Sequence, residues 1–328
     1  MKIHSLPKLK EILLNTLEQG SETGIVTHEN PDGDGIGAAL ALQEILLTLN
    51  LKSDIILEEK IPEVYRFLNA ESRTIVYDKD LSYKTLIVLD CHEHERLGSC
   101  EPLITKAENI IVIDHHIENN VIESDYFIDS AKVAVGAIIF LLFQEEIFQM
   151  NKKSALYVAE AVYLSIINDT DNFINSNVDE ETFQVCAQLM ELGLDPGSIT
   201  KLFLLNKTPA EMRYVGGILN TIKEFCHGKV VFLNSTSKML EQNKLDAKAD
   251  YKILRWVKGM KNVEVVGYFS ETSSGKYKLS LRSVSVNVNI IAGKFGGGGH
   301  KKASGCSLEG NLAEVEELVL TEIKKQLK

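Results

Sequence analysis

Carboxylates and imidazoles recur in four short clusters along the first half of the chain. His28, Asp32 and Asp34 lie in HENPDGDG, Asp90 closes TLIVLD, Asp114, His115 and His116 form IDHH, and Asp169 and Asp171 flank Thr170 in NDTDN. Imidazole with several carboxylates and no thiolate suits Mn²⁺ or a similar divalent ion better than a structural zinc. Asp32 and Asp34 are two residues apart, so one turn can serve two adjacent ions, and a carboxylate such as Asp90 can bridge them. Two ions about 3.5–4 Å apart can activate water and stabilise the leaving oxygen in phosphoryl transfer. Each cluster alone has a plainer reading. Asp and Gly are ordinary turn formers, and an Asp at a strand end is often a helix N-cap. By composition, Asp169 and Asp171 read as a helix-terminating turn.

A second set lies near the C-terminus. Gly296, Gly297, Gly298 and Gly299 are consecutive and precede His300, Lys301 and Lys302. Such glycines let backbone amides approach a phosphate or a base closely. Arg282 ends the run KLSLR and can make bidentate contacts to phosphate. The stretch Cys91-His92-Glu93-His94 matches no zinc spacing and reads as a solvated loop.

The clusters must be brought together by the elements around them. GIVTH (24–28), SDIIL (53–57), RTIVY (73–77), TLIVLD (85–90) and NIIVID (109–114) are short apolar runs that read as strands, the last two as buried parallel ones. IGAALALQEILLTL between the first two has helical periodicity. This alternation predicts an α/β, doubly wound parallel sheet, in which ligands bind beyond the carboxyl ends of the strands. His28, Asp90 and Asp114 to His116 all stand at such ends, with Asp32 and Asp34 in the turn after the first. From about 131 to 225 the pattern is helical, including VAVGAIIFLLFQEEIF and SALYVAEAVYLSII, and a connection between domains begins near 194–209. Strands return in KVVFLN, VEVVGYFSE and YKLSLRS, the last two joined by the turn TSSGK, and a helix over 311–327 closes the chain. The division expected is a catalytic domain over 1–205, with a helical connector beginning near its end, and a smaller α/β substrate-binding domain over 226–328.

Bulk properties narrow the class. With 328 residues, 45% hydrophobic and 25% charged, the chain has the balance of a globular protein large enough for two domains. No apolar run approaches the ~20 residues of a membrane span, and MKIHSLPKLKEILLNTLEQG reads as an amphipathic helix, not a signal peptide. Five cysteines without CxxC spacing argue against a disulfide framework and for a reducing, cytoplasmic setting. A net charge of −11 gives no basic footprint for long nucleic acid and favours short anionic substrates.

HENPDGDGIGA, LDCHEHERLG, VIDHH and NDTDNF, in this order, resemble the motifs of the DHH phosphoesterases, and GKFGGGGHKKASG resembles the signature of the DHH-associated C-terminal domain. The resemblance runs from about residue 24 to 328 and is nearest to the stand-alone NrnA-like subgroup, nanoRNases that degrade very short oligonucleotides and dephosphorylate 3′-phosphoadenosine 5′-phosphate (pAp). It implies two Mn²⁺ ions, with Mg²⁺ or Co²⁺ as substitutes. His28, Asp32 and Asp90 would hold one, and Asp34, Asp90, His115 and Asp169 the other, with Asp90 bridging. His116 would face the scissile phosphate and Asp114 would orient the neighbouring histidine. Arg282, Gly296 to Gly299 and His300 would bind the far end of the substrate. Asp171, where many relatives have glycine, and Asn287, where aspartate is common, depart from the pattern.

The function expected is a two-metal phosphoesterase that hydrolyses short RNA or DNA oligonucleotides to nucleoside 5′-monophosphates and also acts on pAp. Homodimerisation is compatible with it. The nearest rival is a phosphodiesterase for the linear dinucleotides pApA and pGpG. A manganese pyrophosphatase would lack the glycine-histidine cluster, and a RecJ-like exonuclease would carry a further nucleic-acid-binding module. A non-catalytic nucleotide-binding protein would show missing ligands, and none is apparent.

Overall fold

The computed structural model describes residues 1–17, 22–245, 253–257 and 259–327. The chain divides into two compact units, Met1–Asn206 and Lys207–Lys328.

In the first unit, six strands form one parallel sheet: β1 (Thr23–Val26), β2 (Asp54–Leu57), β3 (Thr74–Val76), β4 (Thr85–Leu89), β5 (Asn109–Asp114) and β6 (Asp125–Ile128). Their order is β3-β2-β1-β4-β5-β6 and every pairing is parallel. The strand order reverses between β1 and β4, the point at which open α/β sheets place their ligands. Strands β2 to β5 fall within the apolar runs of the sequence, and β1 begins one residue before its run, at Thr23. β6, DYFI, was not legible, because its burial is only partial and it has no apolar run of its own. It lies at the sheet edge, where Lys2 bridges to Tyr126.

The helices of this unit are α1 (Leu6–Thr16), α2 (Gly33–Thr48), α3 (Pro102–Lys106), α4 (Val135–Leu142), α5 (Gln144–Gln149), α6 (Lys152–Asp169), α7 (Glu180–Glu191) and α8 (Pro196–Thr200). The last residues of the N-terminal helix read from sequence, 18–20, lie outside the described ones. α2 buries residues on every side, from Ile36 through Leu46, as expected of a helix that is apolar all round. It packs with α4 and α6 against the sheet in one core that includes Ile25, Leu40, Ile87, Phe140 and Val162. A smaller cluster with Val26, Val88, Leu97 and Leu103 covers the other face. The run VAVGAIIFLLFQEEIF is not one helix: Phe143, at φ −118° and ψ 22°, separates α4 from α5. None of these helices is long and apolar enough to cross a membrane among the described residues.

The second unit holds α9 (Pro209–Leu219), α10 (Ser237–Asn243), α11 (Ile253–Val257), α12 (Val288–Gly293) and α13 (Leu312–Gln326). Its strands are β7 (Lys223–Phe225), β8 (Val230–Ser235), β9 (Val265–Ser273), β10 (Lys276–Ser283), β11 (Gly298–His300) and β12 (Ala303–Glu309). They form a mixed sheet of order β11-β12-β10-β9-β8-β7, in which only β8 and β9 pair in parallel. The helical reading to residue 225 is corrected here, since Lys223–Phe225 is an edge strand following α9. The glycine cluster contains strand residues that its composition does not signal. Its last residues form β11, which turns back through Lys301 and Lys302 into β12.

Candidate metal centre

β1, β4 and β5 end side by side, and each delivers a group to one place. After β1 the chain reaches His28 and then Asp32, the N-cap of α2, whose carboxylate accepts from the Asp34 N–H at 2.9 Å. His28 Nδ1–H donates to the Glu29 carbonyl at 2.7 Å. That contact leaves Nε2 as the free nitrogen, 3.5 Å from Asp90 Oδ2 and 3.9 Å from Asp32 Oδ1.

Asp90 follows β4 with φ +58°, a left-handed conformation that Asp and Asn tolerate better than most residues. Its carboxylate divides between two directions. Oδ2 faces His28, while Oδ1 lies 3.8 Å from His115 Nε2 and 3.4 Å from His116 Nδ1. His115 Nδ1–H donates to the Lys132 carbonyl at 3.1 Å. Its Nε2 is thereby aimed at carboxylates, 3.4 Å from Asp34 Oδ2 and 2.9 Å from Asp169 Oδ2.

Asp34 has no exposed surface. The start of α4 meets it: the Val135 N–H donates to Oδ2 at 2.8 Å and the Gly136 N–H to Oδ1 at 3.1 Å. A helix N-terminus favours an anion there. Asp169 is the last residue of α6, and Asn168 Nδ2 donates to its Oδ1 at 2.9 Å, leaving Oδ2 toward His115. The turn beyond it runs through Asp171, Asn172 and Phe173 at φ +48°, +57° and +65°. A left-handed Asp171 gives a conformational reason for glycine at this position. The Phe173 ring stacks on Phe183 with centroids 5.6 Å apart, which helps hold the unusual backbone.

Two sets of three ligand atoms result, His28/Asp32/Asp90 and Asp34/His115/Asp169, each with all atoms within 4.8 Å of one another. Asp90, His115 and His116 meet the same limit. For His116, however, Nδ1 lies closer to Asp114 Oδ1, at 2.8 Å, than to Asp90.

The donor set fits divalent cations. Among the described residues the buried Asp90 Oδ1 has no hydrogen-bond partner, which is costly unless a cation serves it, and His115 Nε2 faces the carboxylates of Asp34, Asp90 and Asp169. The electrostatics agree. Burial opposes charge on His28, yet hydrogen bonds to Asp32 and Asp90 and their charges raise its pKa to about 10. For His115, burial is likewise outweighed by Asp169, Asp34 and Asp90, and the pKa rises to about 10. Burial, followed by the charges of Asp90 and Asp169, pushes the Asp34 carboxyl well above the usual range. A site that draws protons onto imidazoles is one where positive charge is needed.

Asp114 is fully buried beside this cluster and takes no part in either set. Its oxygens are occupied by His116 and by His92. This corrects the solvated-loop reading of CHEH: Cys91 and His92 are buried, and burial pushes the Cys91 thiol up to about 12. Only His94 in that stretch is exposed, and it pairs with Glu101 at 3.0 Å. Sequence reasoning also passed over Ser165, whose hydroxyl donates to Asp34 Oδ1 at 2.6 Å. Its position four residues before Asp169, on one face of α6, is a signal that was available.

In the second unit, Arg282 pairs across strands with Ala303, and Ala303 with His300. Directly paired residues share a face of the sheet, so Arg282 and His300 flank Ala303 on one face, and both are exposed. Two of the glycines have a reason within the fold. A Cβ on Gly297 would stand 2.1 Å from the Gly305 carbonyl oxygen, and one on Gly299, at φ +137°, 2.7 Å from that of Ala303. Around Gly298 the nearest atom is 3.8 Å away and around Gly296 there is open space. Asn287 accepts from the Asn289 N–H and caps α12, a role that aspartate fills equally well.

Residues 22–166 match the model of the DHH family N-terminal domain, and residues 227–328 match the DHHA1 domain. Among curated relatives, the bifunctional oligoribonuclease and PAP phosphatase NrnA of Thermus thermophilus is 29% identical over 92% of this chain and 89% of its own length. The protein of the same name from Mycoplasma genitalium is 24% identical over 95% of this chain and 96% of its own. Among solved structures, an exopolyphosphatase-related protein from Bacteroides fragilis has the same fold. Its TM-score is 0.87 at 20% identity, covering 97% of this chain and 96% of that one.

Proposed function

On the premise that this chain belongs to the DHH family and joins a DHH domain to a DHHA1 domain, we propose that it is a Mn²⁺-dependent phosphoesterase of short oligonucleotides. Its products are nucleoside 5′-monophosphates, and pAp is a second substrate. The observation that carries this reading is the pair of three-ligand groups at the carboxyl ends of β1, β4 and β5, in which the buried Asp90 Oδ1 has no hydrogen-bond partner among the described residues. The relatives named oligoribonuclease and PAP phosphatase support the substrate class.

His28, Asp32 and Asp90 would hold one ion, and Asp34, His115 and Asp169 the other, with Asp90 contributing to both. When bound, two divalent ions supply Lewis acidity that activates water and stabilises the leaving oxygen. The chain's own residues prepare that chemistry. Glu29 and Lys132 carbonyls fix the tautomers of His28 and His115, so each presents Nε2. The start of α4 and Ser165 fix Asp34. His116, partly exposed beside Asp90, stands where it can meet a phosphate oxygen, with Nδ1 held by Asp114. In the second unit, Arg282 and His300 share one face of the sheet and would bind the phosphate and the base of a nucleotide, with the open backbone at Gly298 close by.

The test is hydrolysis by the purified chain with Mn²⁺, Mg²⁺ or Co²⁺, using pAp, pApA, pGpG, RNAs of two to five nucleotides and a thirty-nucleotide strand. Mn²⁺-stimulated release of monophosphates from the shortest RNAs, and of phosphate from pAp, is expected. Equal cleavage of the thirty-nucleotide strand overturns the short-substrate reading. Absence of metal-stimulated turnover on every substrate overturns the phosphoesterase reading.

A further inference from the structure

Asp114 is a carboxylate with no exposed surface, and its two oxygens are served unequally. Oδ1 accepts from the His115 N–H at 2.7 Å, the His116 N–H at 3.1 Å and His116 Nδ1–H at 2.8 Å. Among the described residues, Oδ2 has one hydrogen-bond donor, His92 Nδ1. His92 is itself only 3% exposed. On its far side, Nε2 accepts the backbone N–H of Asn119 at 3.3 Å. A donor aimed at Nε2 requires a lone pair there, so the ring proton lies on Nδ1 and points at Asp114.

We propose that His92 is a positioning residue for the reaction, acting on His116 through Asp114. The inference rests on the phosphoesterase reading of the same site. His92 occupies the oxygen that would otherwise be a buried acceptor without a donor, and so fixes the plane of the carboxylate. With that plane fixed, Oδ1 holds His116 by Nδ1–H and leaves Nε2 to face the substrate. The order His92–Asp114–His116 also ties the segment after β4 to the segment after β5, the two that carry Asp90 and His115. His94, two residues on, has no such connection. It is exposed and pairs with Glu101.

The test uses the full chain in three variants, His92→Phe, His92→Asn and His94→Phe. Phenylalanine keeps the ring volume and removes the donor, whereas asparagine restores an N–H near the place of Nδ1. In His92→Phe, kcat is expected to fall about tenfold, the size usual for loss of an outer partner, with KM and Mn²⁺ affinity within about twofold. His92→Asn is expected to recover most of the loss, and His94→Phe to behave as the parent. Independently of turnover, ¹⁵N-histidine spectra of the metal-free chain should place a proton on Nδ1 of both His92 and His116. His92→Phe should move the His116 signal toward a mixture of tautomers. Unchanged kcat and an unchanged His116 signal in His92→Phe overturn the proposal. So does a parent spectrum with the proton on Nε2 alone in either ring, which also decides the matter if His92→Phe does not fold. If the parent shows no turnover, the phosphoesterase reading fails, while the spectra still decide whether His92 fixes His116.

Discussion

Ser165 Oγ donates to Asp34 Oδ1 across 2.6 Å, linking α6 to the first turn of α2 inside the core. The same hydroxyl accepts from the Gly136 N–H at 3.0 Å, so one side chain serves three elements. Ser165→Ala would leave Asp34 with its two backbone donors and no hydroxyl. It should weaken Mn²⁺ binding by about tenfold and lower unfolding stability by about 1–3 kcal/mol. Titration calorimetry and urea unfolding measure the two effects. Unchanged metal affinity would show that the backbone donors of α4 suffice to orient Asp34.

Asp90 is the carboxylate that faces both His28 and His115. Asparagine suits its left-handed backbone and removes only the charge. Asp90→Asn should therefore fold but lose Mn²⁺-dependent turnover by about a hundredfold or more if it ligates as proposed. An ion at a hundred times its Kd stabilises a protein by about 2.7 kcal/mol, and most of that increment should vanish in the variant. Thermal unfolding with and without Mn²⁺ reads this directly.

Proton release should accompany metal uptake. Both His28 and His115 have pKa values raised from the ordinary 6.5 to about 10, so at pH 7.5 each carries a proton it must give up to become a ligand. Calorimetry in buffers of different ionisation enthalpy should show release of about one proton per histidine. Affinity should climb as pH rises from 6.5 toward 10. The linkage to stability runs the other way. A raised folded pKa stabilises the metal-free chain fully below about 6.5, and that contribution is lost as pH rises through 10. Binding without proton release at pH 7.5 would contradict the assignment of these two imidazoles as ligands.

The glycine cluster can be separated into structural and binding positions. Gly297→Ala would force a Cβ to within 2.1 Å of the Gly305 carbonyl oxygen and should destabilise the chain by about 1–3 kcal/mol. Gly298→Ala meets nothing nearer than 3.8 Å and should leave stability within about 0.5 kcal/mol. If substrate approaches the backbone there, Gly298→Ala should raise KM while leaving the unfolding midpoint unchanged. Equal losses of stability in the two variants would remove the distinction.

The sequence carried the strand-end logic because it is local. TLIVL and NIIVI are apolar runs that become the buried strands β4 and β5, and the polar residues that stop them stand by necessity at one end of a parallel sheet. The glycine-containing turn after β1 likewise leads into a helix, read from Ile36 onward; α2 begins three residues earlier, at Gly33, with Asp32 as its N-cap. His92 could not be read in the same way. Glu93 and His94 beside it are polar, and its hydrogen-bond partner, Asp114, lies on another strand. Gly297 shows the same limit: the returning strand β12 also requires a glycine there, since a Cβ would stand 2.1 Å from the Gly305 carbonyl oxygen.

By itself the sequence determined the identities and order of the carboxylates and imidazoles, and that three of their clusters follow strands. Apolar periodicity and turn chemistry act over a few residues, and each can be read along the chain. Only the tertiary structure decided which oxygen of Asp90 faces which histidine, that α4 and Ser165 hold Asp34, and that His92 reaches His116 through Asp114. Those contacts join residues far apart in the chain, and the spacing of strands and the crossing of helices, not the spacing of residues, bring them within hydrogen-bond reach.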